Sequence, residues 1–428
     1  GLASLLFVSR LTRTSSDRTI ILVTLWVKLL ASLAYSAIVV YIFRGGDTLG
    51  YHDAGIQFAN IIRSDLANGS NNYLSTFPFW SLGISSLDRI FSFSGLIHFS
   101  LFDSFLASSF VFALIGFAGQ ILLYRTFVAR FPDPRIRVWW RWGVLFFPTL
   151  MLWSSGMLKD PIGIFGLGCT VWGVHRFLRR PRLRNACWIA VGAYSLLLFR
   201  LQILPVLMIA LVAWVLATPR AAPGETGANS TGRTFRSLIR IGLIIASPLA
   251  ITMVGILQPE FSFASLPAAL AEESRSYEFA GVTQPLVSFD PSWSGLLRAW
   301  PLAMIVTLYR PFIWEAPGPL GIFAALENLV LLILTLRAIF KVFSNFSILA
   351  KASRSSTFLL CLIFVAIFGL GVGLSTPNLG TISRYRIPMI PFFMAALTIL
   401  EYHFLEFRAQ VRQRETAPVV PARRALSQ

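Results

Sequence analysis

A short stretch near the start of the chain concentrates side chains that could do chemistry. Residues 44–66 read RGGDTLGYHDAGIQFANIIRSDL and place Asp47, His52 and Asp53 within seven positions, in a chain with four His in all. An aspartate carboxylate can take a proton from a hydroxyl group, and a neighbouring His can hold a substrate by hydrogen bonds. The stretch therefore predicts Asp47 and Asp53 as candidate catalytic bases and His52 as a substrate-binding residue. The alternative is an ordinary polar loop with a helix N-cap.

A second group of charged residues lies at the ends of apolar runs, where an ionisable side chain is costly unless it is paired or used. Arginine suits phosphate because its planar guanidinium bonds two oxygens at once. A carboxylate base, together with cations that hold a departing phosphate, is the minimum set for sugar transfer from a polyprenyl phosphate. The residues predicted to bind the donor phosphate are Lys159, Arg200, Arg310, Arg384 and Arg386, and those predicted to contact substrate besides His52 are Asp160 and Glu315.

These residues also have structural interpretations that the sequence leaves open. Lys159 and Asp160 could close a hairpin before a proline that starts the next helix. Arg310 and Glu315 could form a salt bridge in a tight turn. Residues 384–386 could anchor a helix end at a membrane interface.

The elements that must position these residues are membrane helices. The 428 residues are 55% hydrophobic and 13% charged, whereas soluble domains carry about 25% charged residues. The net charge of +18 comes from short basic clusters between apolar runs, which is the pattern of the positive-inside rule. The lipid bilayer is therefore an expected partner, and nucleic acid is not.

The order of apolar and basic stretches predicts an all-α polytopic membrane protein with about ten transmembrane helices and both termini in the cytoplasm. Residues 1–428 form one membrane domain of the inner (cytoplasmic) membrane, with re-entrant or interfacial helices and an active site at the outer face. Basic clusters at 125–141 and 175–184 should share one side, so 143–174 must form a hairpin that turns at 159–161. By the same logic, 186–217 forms a second hairpin that turns at 200–202.

Three segments outside the predicted spans complete this plan. The first outer loop, 44–103, contains an interfacial helix with Ile56, Ala59, Ile62 and Leu66 on one face. The second outer loop covers 258–310, and residues 405–428 are predicted to be a disordered cytoplasmic tail. Lys28, inside the first span, is predicted to extend its ammonium towards the membrane surface.

The sequence predicts no cofactor and gives only weak support for a divalent metal. The three cysteines, at positions 169, 187 and 361, lie in apolar runs without metal-ligand spacing. The predicted outer loops contain no D-x-D motif that would support a divalent metal.

Two motifs give the chain a family resemblance. The GGDTLGYHDAG stretch (45–55) follows the first span and leads into an amphipathic helix, and Ser-Arg-Tyr-Arg-Ile-Pro (383–388) opens the last span. Together they resemble the polytopic C-type (GT-C) glycosyltransferases, which use polyprenyl-phosphate-linked sugars. FPTLMLWSSGMLKDP (147–161) also looks like a segment of related bacterial membrane proteins.

This resemblance implies that the first-loop acid, Asp47 or Asp53, is the base that activates an acceptor hydroxyl. It also implies a polyprenyl-linked sugar donor and a glycan or lipid-linked acceptor. Many members carry a large soluble domain after the last span, and the absence of one here favours a small or lipid-linked acceptor.

Two other functions remain open at this point. O-antigen polymerases and ligases also have many spans, a large outer loop and arginines that hold a lipid pyrophosphate. Such an enzyme would depend on the arginines and the second outer loop more than on a first-loop acid. A lipid-linked sugar flippase or transporter is the third possibility, against which no inverted repeat is visible.

Overall fold

The computed structural model describes residues 18–70, 79–82, 85–218, 230–257, 262–279, 286–316, 318–376 and 378–416. Within these ranges the protein forms seventeen α-helices and no strand, which confirms the all-α prediction. In chain order the helices are α1 (Arg18–Ala37), α2 (Asp47–Ala67), α3 (Ser86–Ser100), α4 (Phe105–Arg130), α5 (Arg137–Trp140), α6 (Pro148–Trp153), α7 (Lys159–Arg179), α8 (Leu183–Phe199), α9 (Ile203–Ala217), α10 (Ser230–Leu257), α11 (Leu266–Phe279), α12 (Trp293–Tyr309), α13 (Gly318–Ser344), α14 (Ser347–Ser353), α15 (Ser356–Ser375), α16 (Leu379–Tyr385) and α17 (Ile390–Thr416).

Five of these helical segments are long and apolar enough to cross a membrane, so helix length and hydropathy indicate a multi-pass membrane protein. A span needs about 20 apolar residues because the hydrocarbon core is about 30 Å thick. Shorter apolar helices cover Leu183–Phe199, Ile203–Ala217 and Ser247–Leu257, and α7, with 21 residues, is long enough but not among the five most apolar segments. The five long segments are Arg18–Phe43, Phe105–Arg130, Gly318–Ser344, Ser356–Ser375 and Ile390–Gln413.

The two predicted hairpins differ in regularity. In the second, α8 and α9 are separated only by Arg200, Leu201 and Gln202, as predicted. In the first, residues 143–158 are not one helix, because α6 covers only six residues and the chain then leaves the helix until α7 begins at Lys159. Pro148, which has no backbone N–H, stands at the start of α6 and ends any continuation from the preceding turn.

The predicted interfacial helix of the first loop forms, with a different boundary and a shifted buried face. It begins at Asp47 and buries Thr48, Tyr51, Gly55, Ala59 and Ile62, largely against α3. Leu66, expected on the apolar face, is exposed because that face points towards α3 only in the first four turns. Residues 71–78 and 83–84 of this loop lie outside the described residues.

The predicted second loop and tail are more helical than expected. Residues 258–310 include α11 and α12, and α12 packs along α15. The tail prediction is wrong for residues 405–416, which continue α17. There Glu406 accepts hydrogen bonds from Tyr402 Oη at 2.6 Å and from His403 Nδ1 at 2.9 Å, which supports the helix across this point. Residues 417–428 lie outside the described part.

Close packing of α4 on α7 fixes the direction of α7. A Cβ atom on Gly168 would lie 2.3 Å from the carbonyl oxygen of Gly119, so only glycine allows the two backbones to approach this closely. A smaller apolar cluster, which includes Tyr35, Tyr51 and Phe112, joins α1, α2 and α4 at the end where α7 begins. The N-terminus of α7 is therefore held by packing on several sides.

The prediction that Lys28 extends its ammonium towards the membrane surface is wrong. Its side chain is fully buried, and its ammonium donates a hydrogen bond to Ser154 Oγ in the segment between α6 and α7. The reason is its position on the face of α1 that packs on α4 and α6, together with Thr24, Ser32 and Ser36.

Candidate functional site

Charged residues from four distant parts of the chain meet at the N-terminus of α7. Arg384 donates from Nε to Asp160 Oδ2 and from Nη1 to Asp47 Oδ2, at 2.8 Å in each case. Arg200 donates to the other oxygen of Asp160. Lys159 adjoins this group in sequence, and we refer to Asp47, Lys159, Asp160, Arg200 and Arg384 as the Asp160 cluster.

Each member of the Asp160 cluster stands at a helix end. Asp160 lies in the first turn of α7 and Asp47 in the first turn of α2, where the helix dipole favours a negative charge. Arg200 directly follows α8, and Arg384 lies in the last turn of α16. The chain enters α2 through Gly46 at φ 91°, a backbone conformation that glycine adopts without strain.

Asp160 is the buried centre of the cluster. Burial acts to raise the pKa of its carboxyl, but the guanidinium groups of Arg200 and Arg384 outweigh burial and hold that pKa below its ordinary value. Both oxygens are occupied and the residue is only 4% exposed. This geometry favours a positioning role for Asp160, holding the two arginines, over the predicted contact with substrate.

Asp47 and Lys159 form the accessible edge. The Asp47 side chain is 49% exposed, so one carboxylate of the cluster is open to a substrate while Arg384 fixes its orientation. Lys159 Nζ donates to Ser86 Oγ at 3.1 Å. Burial, followed by the positive charge of Arg200, lowers the pKa of Lys159 to about 8.

Aromatic side chains border the cluster. The Arg384 guanidinium lies 5.9 Å from the ring centre of Trp153 and 5.8 Å from that of Tyr385. Tyr35 packs edge-on against Trp153, and its hydroxyl lies 2.9 Å from Thr48 Oγ1, next to Asp47. Such rings can pack against a sugar or the first units of a lipid chain.

A cavity of about 440 Å³ adjoins the same edge. It shares Ser86 with the Lys159 contact, and it reaches the turn after Arg200 at Leu201 and Gln202. Arg89 lies in its wall with the guanidinium donating to the carbonyls of Ser81, Leu82 and Leu198, which fixes the wall against the end of α8. The remaining lining is mainly leucine and phenylalanine.

The other predicted residues lie outside the Asp160 cluster. Asp53 is on the exposed side of α2, because six residues along a helix turn the side chain away from the Asp47 direction. His52 Nδ1 lies 3.2 Å from His98 Nε2, and His98 Nδ1 lies 3.2 Å from Ser108 Oγ. His52 is thus part of a hydrogen-bonded contact between α2, α3 and α4.

Arg310 and Glu315 form the local salt bridge that the sequence left open. Arg310 Nε and Nη2 donate to the two carboxylate oxygens at 2.9 and 2.7 Å, and Glu315 also accepts from the backbone N–H of Phe312. The charged groups of Arg310 and Glu315 are therefore paired with each other within one turn.

Arg386 is fully buried in a second ionic group. Its Nη1 donates to the carbonyls of Thr307 and Leu308, and its Nη2 donates to Glu327 Oε1 at 2.9 Å. Glu327 in turn accepts from the N–H and hydroxyl of Thr149 at 2.6 Å. This group joins α12, α13 and the start of α6 to the turn that carries Arg384, so Arg386 fixes that turn from inside.

Sequence reasoning did not assign Glu327 a partner. A single acid in an apolar span is a signal that a buried cation must balance it, but the sequence does not say which. Within the described parts of the chain, no three His, Cys, Asp or Glu side chains come together as a metal site.

Comparisons with protein-family models, with curated proteins and with solved structures find no match to this chain.

Proposed function

We propose that the protein is a membrane glycosyltransferase that moves a sugar from a polyprenyl-phosphate donor to an acceptor hydroxyl at the Asp160 cluster. One observation carries this proposal. The half-exposed carboxylate of Asp47 is held beside Lys159, Arg200 and Arg384, and a cavity adjoins this group through Ser86, which contacts Lys159. A base, phosphate-binding cations and room for a lipid chain are the parts that such a transfer requires.

The transfer would proceed as a single displacement. Asp47 takes the proton of the acceptor hydroxyl as its oxygen attacks the anomeric carbon. The bond from that carbon to the phosphate oxygen breaks, and its electron pair leaves with the phosphate. The new bond forms on the face opposite the leaving group, so the anomeric configuration inverts.

The cations stabilise the charge that grows on the departing phosphate. Lys159 contacts Ser86 in the cavity wall, while Arg200 and Arg384 are held in fixed orientations by Asp160. Donors fixed before the reaction need no reorganisation when charge develops, which is the usual source of electrostatic catalysis. In this proposal the cluster faces the outer side of a bacterial inner membrane, and both chain ends face the cytoplasm.

The test is sugar transfer in proteoliposomes, with a lipid extract of the native cells as donor and acceptor source. Asp47→Asn keeps the size of the side chain and removes the base, so we expect turnover to fall by about 10²-fold or more. Asp53→Asn, on the exposed side of the same helix, is the matched control and should keep full activity. Full activity of Asp47→Asn would overturn the assignment of Asp47 as the base.

A polymerase or ligase that acts on a pyrophosphate-linked glycan is the second candidate. The observation in its favour is that three cations gather around a site with one accessible carboxylate, and a pyrophosphate carries more charge than a monophosphate. Under this alternative, Asp47→Asn would remain active, whereas Arg384→Ala would lose activity and would bind polyprenyl pyrophosphate more weakly than the unmodified protein.

A further inference from the structure

A group of arginines that form no ion pair within the described residues lies at the end of the molecule opposite to the Asp160 cluster. Arg125 and Arg130 are in the last turns of α4, and Arg176 and Arg179 are in the last turn of α7. None of the four takes part in an ion pair with a carboxylate of the described residues. We call these four residues the arginine cluster.

Neutral groups satisfy only part of the hydrogen-bonding capacity of the cluster. Arg130 donates to Ser356 Oγ at 2.8 Å and to Thr357 Oγ1 at 3.1 Å, and Arg179 donates to the carbonyl of Ala129 at 3.2 Å. These acceptors orient the guanidinium groups, but they carry no charge that would balance them.

Arg125 is the clearest case of a guanidinium group in the cluster without enough hydrogen-bond partners. One of its terminal guanidinium nitrogens, Nη2, is buried and has no hydrogen-bond partner among the described residues. Arg176 lies close enough to Arg125, and Arg179 to Arg130, for the like charges to repel each other. Like charges in partly buried positions cost free energy, and an anion bound between them would relieve that cost.

The surroundings of the cluster fit a lipid headgroup. Arg130 lies over the ring of Trp214 at 5.8 Å, and Arg176 lies over Trp172 at 5.4 Å. Tryptophan prefers the boundary between headgroups and hydrocarbon. The N-terminus of α15, at Ser356, adds a partial positive charge beside Arg130.

Distance places the arginine cluster away from the proposed catalytic site. Helix α7 has 21 residues, so its two ends are about 30 Å apart, which matches the thickness of a bilayer hydrocarbon core. A ligand bound at the cluster would therefore not be the donor held at the Asp160 end.

We propose that the arginine cluster binds the phosphate of an anionic phospholipid headgroup, as a site separate from the Asp160 cluster. The planar guanidinium groups would share the phosphate oxygens, and the half-buried ring of Trp172 would lie against the glycerol region, while the buried ring of Trp214 supports Arg130 from inside. The shared chemistry is a phosphate anion, so a soluble phosphate is the other source that the experiment must distinguish.

The experiment compares lipid binding by the purified full chain and by two double variants. Native mass spectrometry measures retained phospholipid, and thermal unfolding in detergent measures the response to added phosphatidylglycerol or phosphatidylcholine. We expect phosphatidylglycerol, and not phosphatidylcholine, to remain bound and to raise the unfolding temperature, because a ligand that binds the folded state stabilises it.

Arg125→Gln with Arg176→Gln should reduce phosphatidylglycerol binding by about tenfold or more. Arg182→Gln with Arg184→Gln is the matched control, because these exposed arginines follow α7 and the charge change is the same. Should the first variant fail to fold, Arg125→Lys with Arg176→Lys keeps the charge but loses the planar fork, and it should bind more weakly than the unmodified protein.

Two results would overturn the proposal. One is an equal response to phosphatidylcholine and phosphatidylglycerol together with an equal loss of binding in the control variant, which would mean that the cluster is an ordinary solvated basic face. The other is stabilisation by inorganic phosphate in lipid-free detergent with no added effect of phosphatidylglycerol, which would assign the site to a soluble anion.

Discussion

At the scale of single residues, Asp160 and Asp47 contact the same guanidinium group, that of Arg384, but differ in exposure and role. Arg384 contacts Asp160 through Nε and Asp47 through Nη1. The Asp160 side chain is 3% exposed and the Asp47 side chain 49% exposed, so only Asp47 can meet a substrate without rearrangement. Removing Asp160 would take the carboxylate partner from Arg200 and leave Arg384 with Asp47 alone in a largely buried site, which is a stability defect before it is a catalytic one.

Lys159 gives the site a pH dependence. Burial and the charge of Arg200 lower its pKa to about 8, so the ammonium of the free protein is lost as the pH rises through that value. Because only the charged form attracts a phosphate, we predict that the affinity for a short-chain polyprenyl phosphate falls between pH 7 and pH 9. Equilibrium binding measured at both values in detergent tests this prediction.

The matched variant for this prediction is Lys159→Arg, whose charge does not titrate in this range and whose affinity should change little. An equal loss of affinity in Lys159→Arg would remove Lys159 as the cause.

The free energy of unfolding should change in the opposite direction to the affinity. The pKa of Lys159 in the folded protein lies below its value in the unfolded chain, so between about pH 8 and pH 10 the unfolded chain binds more protons and the folded state gains stability as the pH rises.

The sequence could pick out charged residues at apolar boundaries, but it could not say which of them come together. The same reasoning that named Lys159, Asp160, Arg200 and Arg384 also named Arg310 and Arg386, which pair elsewhere. Asp160 contacts Arg200 across 40 residues and Arg384 across 224. Such contacts depend on the packing of α7 against the ends of α8 and α16, which a single sequence does not specify.

At the scale of elements, glycine contacts between α4 and α7 determine where the Asp160 cluster forms. The sequence predicted the turn at 200–202, because a charged residue there interrupts two apolar runs. It missed the break at 154–158, since a short apolar stretch reads alike as a helix or as a buried segment. Because the chain is not helical at residues 154–158, α7 begins as a new helix at Lys159. The position of the Asp160 cluster therefore depends on this non-helical segment of the hairpin.

We predict that Gly168→Ala destabilises the protein, although alanine favours a helix more than glycine does. The added Cβ would lie 2.3 Å from the Gly119 carbonyl oxygen, and backbone atoms of two packed helices cannot move aside easily. Overpacking of this kind costs about 1–3 kcal/mol. Thermal unfolding in detergent measures the effect.

Gly371→Ala in α15 is the control for this substitution, because a Cβ there meets nothing within 4 Å. It should leave the unfolding temperature unchanged or raise it slightly through helix propensity. Equal unfolding temperatures for the two variants would show that the close approach of α4 and α7 does not limit stability.

At the scale of the whole molecule, opposite ends of one helix carry opposite kinds of charge organisation. At the start of α7, carboxylates and guanidinium groups pair closely, whereas at its end the arginines lack acidic partners among the described residues. The sequence already predicted that basic clusters gather on one side and the acids on the other. The structure adds that α7 joins the two ends directly, over about 30 Å.

This arrangement predicts that α7 crosses the bilayer, with its two ends on opposite sides. Single cysteines at Asp53, on the exposed side of α2, and at Arg184, exposed in the first turn of α8 just after α7, report on the two ends. Cys187 is exposed and must first be replaced by alanine, whereas Cys169 and Cys361 are buried and should not react. In sealed vesicles of known orientation, a membrane-impermeant maleimide should label only one of the two positions, and both should react after permeabilisation. Labelling of both positions from the same side would contradict this prediction, because the Asp160 cluster and the arginine cluster would then lie on one face of the membrane. A lipid-linked sugar at one site and a headgroup at the other could then not occupy opposite leaflets.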